Sequence, residues 1–187
     1  LGDVYKRQEN GPWLEMGEEG RSAGVLRGGK GSTWEGGIRV PMVIWGPGYI
    51  KSGIVDDIGT SMDLFSTFSH LAEVEIPNDR IIDGNNLSDV FKSLSKSPTE
   101  SFFYYWGSEL MAVRYKSYKL HLNLHEAYDG KPMEILETPF LYNLDIDPSE
   151  KNNIYKDDLE VLNKIDKIIK KHKSDLIIAK DLLIDLK

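Results

Sequence analysis

The sequence predicts a mixed fold: the tail of an α/β domain over residues 9–95, followed by an α+β subdomain over 96–187 with a small antiparallel sheet and a C-terminal helix. Three observations predict it. The first half holds a short apolar run followed by a stripe of apolar residues at helical spacing. Near residue 100 the composition changes to aromatic and β-branched runs. The C-terminal segment is Lys/Asp-rich, with its apolar residues again at helical spacing.

Residues 1–8 are predicted to be a non-native leader. The chain begins at Leu1 and passes through a polar run into the turn signal Asn10-Gly11-Pro12, with no strand or helix before it. Back-translated, Asp3 to Gln8 can be read as the end of a transposon adapter used for sequencing libraries. We therefore expect native sequence to begin near Glu9; the alternative is a genuine flexible N-terminus.

Two further segments are predicted before residue 50. Residues 9–37 are rich in glycine and lack periodicity, which predicts a long ordered loop rather than a helix or strand. The apolar run VPMVIWG at 40–46 ends in Gly-Pro-Gly and predicts a buried strand, with Pro41 suited to its first position.

Two helices are expected before the change in composition. Thr60 and Asp63 form a capping pair, and a helix is predicted over 61–73. Its apolar stripe consists of Met62, Leu64, Phe65, Phe68, Leu71 and Ala72. A short second helix is predicted from Ser88 to Leu94.

The C-terminal half is predicted to form four strands and a helix. The strands are 101–107, 110–116, 118–124 and 140–145, with a tight hairpin turn at Ser117. An amphipathic helix is predicted over 157–172, and a second apolar stretch at 176–186 is expected to extend it. Its apolar face consists of Leu159, Leu162, Ile165 and Ile169.

Composition excludes several classes of function. The 187 residues carry a formal charge of -7, which argues against nucleic acid or an anionic membrane as the main partner. The absence of cysteine excludes a disulfide, a thiolate zinc site and a thiol nucleophile. No apolar run approaches the roughly 20 residues that span a bilayer, and the first residues lack a secretory signal. The sequence does not predict an oligomeric state.

The stretch RGGKGSTWEGGIRVPM, residues 27–42, contains one lysine and five glycines, which have no side chains. Gly24-x-x-x-x-Gly29-Lys30 resembles the start of a nucleotide P-loop, but Gly31 stands where that motif needs Ser or Thr. Glycines let an anion approach the backbone, so Lys30 could bind an oxygen of sulfate or phosphate; a solvent-exposed lysine in a turn is the alternative. Glu35 and Arg39, four residues apart, are expected to form an ion pair that fixes the loop; acid–base catalysis is the alternative.

The histidines are mostly expected to be structural. His70 and His172 lie on predicted helices, where packing or solvation accounts for them. His121 and His125 share one face of the predicted strand, so a two-histidine metal site is possible, although no third ligand is near in sequence. Tyr104, Tyr105 and Trp106 are expected in the core.

Residues 9–50 resemble the sulfatase family, most of all its arylsulfatase A branch, in which Asp-Asn-Gly is followed by a Gly-Lys-x-[ST]-x-x-Glu-Gly-Gly-x-Arg-x-Pro stretch. The resemblance continues through TSMDLFSTFSHLAEVEIPNDRIIDGNNLSDVF, SFFYYWG, AVRYKSYKLH and FLYNLDIDPSEKNNI, as far as residue 155. It implies a sulfuric ester hydrolase of the alkaline-phosphatase superfamily that uses calcium or sometimes magnesium. Such enzymes are commonly exported, so a periplasmic or secreted location is expected.

The resemblance also implies roles for individual residues. Lys30 matches the lysine that contacts the substrate sulfate and stabilises charge during catalysis. Asn10 matches the amide ligand of the metal, and Glu9, which stands where the family has aspartate, is expected as a second metal ligand. His121 lies in the part of the family that borders the substrate cleft, so a position at the pocket rim, with a role in substrate binding, is expected.

The family's formylglycine nucleophile arises in a Cys/Ser-x-Pro-x-Arg motif, and this sequence contains no such motif. The chain is therefore expected to be a C-terminal fragment that is inactive alone and exposes the surface covered by the other half. Two alternatives stay open: a phosphoesterase or phosphonate hydrolase of the same superfamily, and a non-catalytic module that binds sulfated glycans. The substrate expected of the parent is a sulfated small molecule or sugar.

Overall fold

The structure, a computed structural model, describes residues 10–126 and 132–177 together with the backbone of residues 4–7. Its elements in chain order are β1 Val4–Arg7, a 3-10 helix Leu14–Gly20, α1 Glu35–Ile38, β2 Met42–Trp45, α2 Ser61–Leu71, α3 Ser88–Ser93, β3 Ser101–Trp106, β4 Glu109–Tyr115, β5 Tyr118–Leu124, β6 Glu134–Asn143 and α4 Leu159–Asp175. This mixed architecture confirms the predicted fold class. Among the helices described, none is both long and apolar enough to cross a membrane.

The C-terminal half contains a four-stranded antiparallel sheet of order β3-β4-β5-β6. The first three strands agree with the prediction to within a residue. Tyr115 opposes Tyr118, so the chain reverses over Lys116 and Ser117 as expected. The fourth strand begins at Glu134 rather than near 140, because after a register shift Glu134 and Ile135 pair with the end of β5.

The two faces of this sheet differ in chemistry. One face carries Phe103, Val113, Leu120 and Leu141, which stand opposite one another across the four strands. This apolar face packs against α4, and the two form the larger hydrophobic core. The other face carries Tyr104, Arg114, Lys119, His121 and Tyr142. It meets the segment 27–39, hereafter the lysine loop.

Helix α4 packs on the apolar face through Val161 and Ile165. Leu159 is 69% exposed, so its assignment to the buried face is wrong. The reason is that it lies on a different side of the helix from the stripe centred on Val161 and Ile165. The predicted extension over 176–186 is also wrong at its start: the helix ends at Asp175, and Leu176 has extended backbone. Residues from 178 onward lie outside the described part of the chain.

The described part of the glycine-rich segment, residues 10–38, is mostly turns, but it contains two short helices that the sequence did not predict. The 3-10 helix is interrupted by Gly17, whose φ is 59°, and α1 spans only four residues. Helical pieces this short show no apolar periodicity, so pattern analysis cannot find them.

Strand β2 lies where predicted, directly after Pro41, but it is not buried. Val43 is 64% exposed and Trp45 is 56% exposed. Its described hydrogen-bonding partner is β1, which runs antiparallel to it. Whether residues 1–8 are native stays a prediction. The expectation of burial fails because no described segment covers the faces of this strand.

Helix α2 is capped as predicted, but it buries its polar face instead of the predicted apolar stripe. Its buried side chains include Asp63, Ser66 and Thr67, whereas Met62 and Phe65 are 45% and 51% exposed. The polar side is buried because it hydrogen-bonds to the following segment: Ser66 Oγ donates to the carbonyl of Gly84. The predicted apolar stripe of α2 is therefore largely a surface of the described chain. Of its members, Leu64 is buried.

Removing the cap of α2 should have a moderate effect. Thr60 Oγ1 accepts from the Asp63 N–H at 3.3 Å, and the Asp63 carboxylate accepts from the Thr60 N–H at 2.6 Å. We expect Thr60→Ala to lower the free energy of unfolding by about 1 kcal/mol, measured by chemical denaturation. Thr60→Ser keeps the hydroxyl and should lose less; an equal loss would assign the effect to the methyl group instead.

Candidate functional site

Two backbone hydrogen bonds bring the Asn10-Gly11-Pro12 turn against the lysine loop. The Lys30 N–H donates to the carbonyl of Pro12 at 2.8 Å, and the Gly11 N–H donates to the carbonyl of Gly37 at 3.0 Å. Asn10 and Lys30 are distant in sequence but lie on neighbouring stretches of backbone. The two backbone stretches that carry the residues assigned by the resemblance to metal and sulfate binding therefore lie next to each other.

The bare backbone of the lysine loop serves close packing of the chain on itself. A β-carbon at Gly11 would lie 1.8 Å from the carbonyl oxygen of Gly36, and one at Gly36 would lie 2.4 Å from the carbonyl oxygen of Gly28. Both distances are far too short for real atoms. Gly28 also has φ 71°, in the region that favours glycine. Glycine is therefore required here by backbone contact, which does not depend on a bound anion.

The Lys30 side chain is half-buried, and its Nζ lies 5.8 Å from the centre of the Trp13 ring. A cation–π contact at an exposed site contributes only about 0.5–1 kcal/mol, so an anion could replace it. In the described ranges, no acidic side chain forms an ion pair with Lys30. Its contact with a sulfate group stays a prediction.

A hard metal ion could take one donor from the described residues. Asn10 is half-buried, and an amide oxygen suits calcium. Glu9, the other predicted ligand, lies outside the described residues. Over residues 10–126 and 132–177 no group of three His, Cys, Asp or Glu side chains could hold a metal. Because calcium takes six to eight oxygen ligands, Asn10 fits as one member of a larger set.

Glu35 does not pair with Arg39, so that predicted ion pair is wrong. Arg39 has an exposed side chain, and its contact with Glu35 is a backbone hydrogen bond of 2.8 Å. Glu35 is 1% exposed and turns toward the sheet instead, where its carboxylate lies 3.0 Å from Lys119 Nζ and 3.1 Å from an Arg114 nitrogen. Its predicted structural role therefore holds, with different partners.

A second buried carboxylate, Glu150, joins the same group. Glu150 Oε1 lies 2.7 Å from His121 Nε2 and 3.4 Å from Lys119 Nζ, and Oε2 accepts from the Glu35 N–H at 2.8 Å. We call Glu35, Arg114, Lys119, His121 and Glu150 the charge cluster. It contains two carboxylates and two permanent cations, so its charges balance when His121 is neutral.

The surroundings shift the pKa values of the cluster strongly. Burial by itself would raise the pKa of Glu35, but the charges of Lys119 and Arg114 and a hydrogen bond from Tyr104 outweigh it and lower the pKa to about 2. Burial lowers the pKa of His121 to about 4, although Glu150 opposes this. Burial and the charge of Glu35 raise the pKa of Tyr104, which therefore keeps its proton and donates a hydrogen bond of 2.7 Å to the Glu35 carboxylate.

His121 is fully buried rather than exposed at a rim. Its Nε2 donates to Glu150, and its ring lies 4.3 Å from that of Trp34. A contact with substrate stays a prediction; the observed contacts are those of the cluster. His125 stacks on Trp106 at 4.0 Å, and His172 stacks on Phe103 at 3.7 Å, in agreement with a structural role for His172. His70 is exposed on α2.

Sequence reasoning missed Arg114, Lys119 and Glu150. A usable signal existed for one of them: Lys119 and His121 alternate with apolar residues along YKLHLNL, which puts both on one face of a strand. A lysine inside such a run suggests a buried, paired charge. Glu150 lies in a polar turn and gives no such signal.

Comparisons with known proteins agree on one family. The family model described as the C-terminal region of aryl-sulfatase matches residues 97–187, and the model described as sulfatase matches residues 9–74. An arylsulfatase of Hemicentrotus pulcherrimus is 37% identical over 79% of this chain and 31% of its own length. Human arylsulfatase A is 35% identical over 78% of this chain and 32% of its own length.

Solved structures show the same fold. The PsFucS1 sulfatase from Pseudoalteromonas sp. has a TM-score of 0.83 at 24% identity, covering 95% of this chain and 39% of that one. Ps i-CgsB, solved in complex with k-i-k-neocarrahexaose, has a TM-score of 0.71 at 25% identity, covering 92% and 36%.

The family matches cover both the segment that carries the lysine loop and the segment that carries the antiparallel sheet and the C-terminal helix. The chain belongs to the sulfatase family and is arylsulfatase-like. It spans about a third of the length of the curated relatives it matches.

Proposed function

We propose that this chain is the C-terminal part of a sulfuric ester hydrolase of the arylsulfatase type. The observation that carries the proposal is the placement of Lys30 beside the Asn10 turn, through the 2.8 Å hydrogen bond from the Lys30 N–H to Pro12. Lys30 would contact the sulfate group of the substrate and offset negative charge there. The two family matches, over residues 9–74 and 97–187, support the assignment.

The rest of the reaction would depend on a bound metal ion and on a nucleophile. Asn10 and Glu9 would contribute oxygen ligands to a calcium ion, or a magnesium ion, which when bound would act as a Lewis acid on the sulfate oxygens. The nucleophile would be a formylglycine formed in a part of the protein that this sequence does not include. This chain alone would then lack the nucleophile.

The proposed substrate is a sulfate ester of a small molecule or a sugar. Relatives include N-acetylgalactosamine-6-sulfatase from Rattus norvegicus, which is 32% identical over 93% of this chain and 38% of its own length. The complex of Ps i-CgsB with neocarrahexaose supports a carbohydrate as one candidate.

Lys30→Ala in the enzyme expressed from the complete gene tests this function. Removing a fixed charge that stabilises the transferring group costs about 100- to 1000-fold in kcat. We expect a loss of this size, measured with the chromogenic substrate p-nitrocatechol sulfate. Lys51→Ala, at an exposed lysine of the same half of the chain, is the matched control and should retain activity. Full turnover by Lys30→Ala would refute the proposed role.

A further inference from the structure

We propose that Arg27 and Glu150 are positioning residues: with Lys119 they fix the lysine loop to the C-terminal subdomain on both sides of Lys30 and thereby set the place of the Lys30 ammonium group. The proposal rests on the sulfatase function proposed above. It assigns the C-terminal subdomain an indirect part in catalysis: Arg27 and Glu150 act through the position of Lys30.

The N-terminal end of the loop is held through Arg27. Its guanidinium donates to the main-chain carbonyl of Glu150 at 2.9 Å and lies 3.6 Å from the centre of the Trp34 ring. Trp34 is 1% exposed and packs with Tyr142 and Leu144 of the C-terminal subdomain. Arg27 therefore joins the start of the loop to the C-terminal subdomain, through Glu150, and to the second half of the loop, through Trp34.

On the C-terminal side of Lys30 the loop is held by two more contacts, at Thr33 and Glu35. Lys119 Nζ donates to the carbonyl of Thr33 at 2.7 Å, and Glu150 Oε2 accepts from the Glu35 N–H at 2.8 Å. The two side chains that make these contacts, those of Lys119 and Glu150, are fully buried. Lys30 lies between Arg27 and Thr33, the anchored positions on its two sides.

Glu150 is itself held firmly enough to act as an anchor. Its φ is 50°, in the left-handed region, which a non-glycine residue keeps only where its surroundings hold it there. The surrounding turn is fixed by the Asp147 carboxylate, which accepts from the N–H groups of Lys151 and Asn152 at 2.8 and 2.7 Å. Glu150 thus accepts a hydrogen bond from Arg27 at its main-chain carbonyl and one from the Glu35 N–H at its side chain.

This arrangement predicts that Arg27 and Glu150 act through Lys30 rather than on substrate directly. A charge that must oppose a developing charge loses most of its effect when it moves by about 1 Å, at a cost of about 100-fold in rate. Loosening either end of the loop should therefore lower kcat. If Lys30 is already absent, there is nothing left to position, and the same change should have little effect.

A double-mutant cycle in the full-length enzyme tests this. We expect Arg27→Met to lower kcat by about 10- to 100-fold when Lys30 is present, and by less than about 2-fold in the Lys30→Ala background. Arg27→Lys keeps a donor and a charge and should restore part of the loss. Glu150→Gln, which keeps the shape of the side chain, should behave as Arg27→Met does.

Asp63→Asn is the control for loss of stability, since Asp63 is fully buried on α2 and does not contact the lysine loop. It should lower Tm but leave kcat unchanged below the melting range. Equal factors for Arg27→Met in both backgrounds, or no loss of kcat at all, would overturn the positioning role. If Lys30→Ala alone leaves turnover intact, the proposed function fails instead, so the two failures are distinguishable.

Discussion

Replacing Lys119 with methionine is expected to lower the free energy of unfolding by about 3 to 5 kcal/mol, because it leaves buried carboxylates without their cation. Lys119 is fully buried, and its Nζ lies 3.0 Å from Glu35 and 3.4 Å from Glu150. In the variant Arg114 is the one permanent cation of the charge cluster, against two carboxylates. Urea denaturation of the enzyme at pH 7 measures the loss.

The double variant Lys119→Met/Glu150→Gln removes one charge of each sign from the cluster. Its loss should be clearly smaller than the sum of the two single losses, because each single variant leaves an unbalanced charge and the double variant does not. Lys164→Met is the matched control: Lys164 forms a 2.6 Å surface pair with Glu160, and such pairs contribute about 0–1 kcal/mol. If Lys119→Met lost no more stability than this control, the buried charges of the cluster would not depend on Lys119 for their stability, and the prediction would be wrong.

The charge cluster also explains why the sheet and the lysine loop depend on each other. Arg114 and Lys119 stand directly opposite on β4 and β5, and like charges at such positions destabilise a sheet. Glu35 resolves the conflict, since one carboxylate oxygen faces each cation. The polar face of the sheet is therefore stable only with the loop docked on it, which is the arrangement that holds Lys30 in place.

Local signals in the sequence were sufficient for most elements. The Thr60 and Asp63 pair marked the start of α2, and the short break at Ser117 marked the hairpin between β4 and β5, because both depend on residues a few positions apart. Lys30 and Asn10 were found through the resemblance to the sulfatase family. Their spatial proximity then followed from backbone contacts that no periodicity encodes.

Partners distant in sequence could not be predicted. The expected Glu35–Arg39 pair used the helical spacing of four residues, but α1 ends at Ile38 and Arg39 has extended backbone. The carboxylate instead reached Lys119, 84 residues away. The apolar stripe of α2 failed for a related reason: periodicity gives the faces of a helix, but which face is covered depends on what else is folded against it.

Acid is expected to destabilise the protein in two successive pH ranges. The pKa of His121 is about 4 in the fold, against about 6.5 in an unfolded chain. Between these values the unfolded chain binds a proton at this histidine and the folded protein does not. Stability that is present above pH 6.5 is therefore lost as the pH falls toward 4. The slope should be about 1.4 kcal/mol per pH unit, or about 3 kcal/mol in all. Glu35, with its pKa lowered to about 2, adds a second loss as the pH falls below about 4.5.

Groups of both signs face His121, namely Glu150 and Glu35 from the segments packed on it and Lys119 from its own strand. His121→Gln keeps a donor for Glu150 but removes the titration, so its unfolding free energy should fall less steeply between pH 6.5 and 4.5 than that of the wild type, by about 1.4 kcal/mol per unit. His70→Gln, at an exposed histidine on α2, should keep the wild-type slope. Parallel curves for His121→Gln and the wild type would contradict the prediction, because they would mean that the His121 ring takes up its proton as readily in the fold as in the unfolded chain.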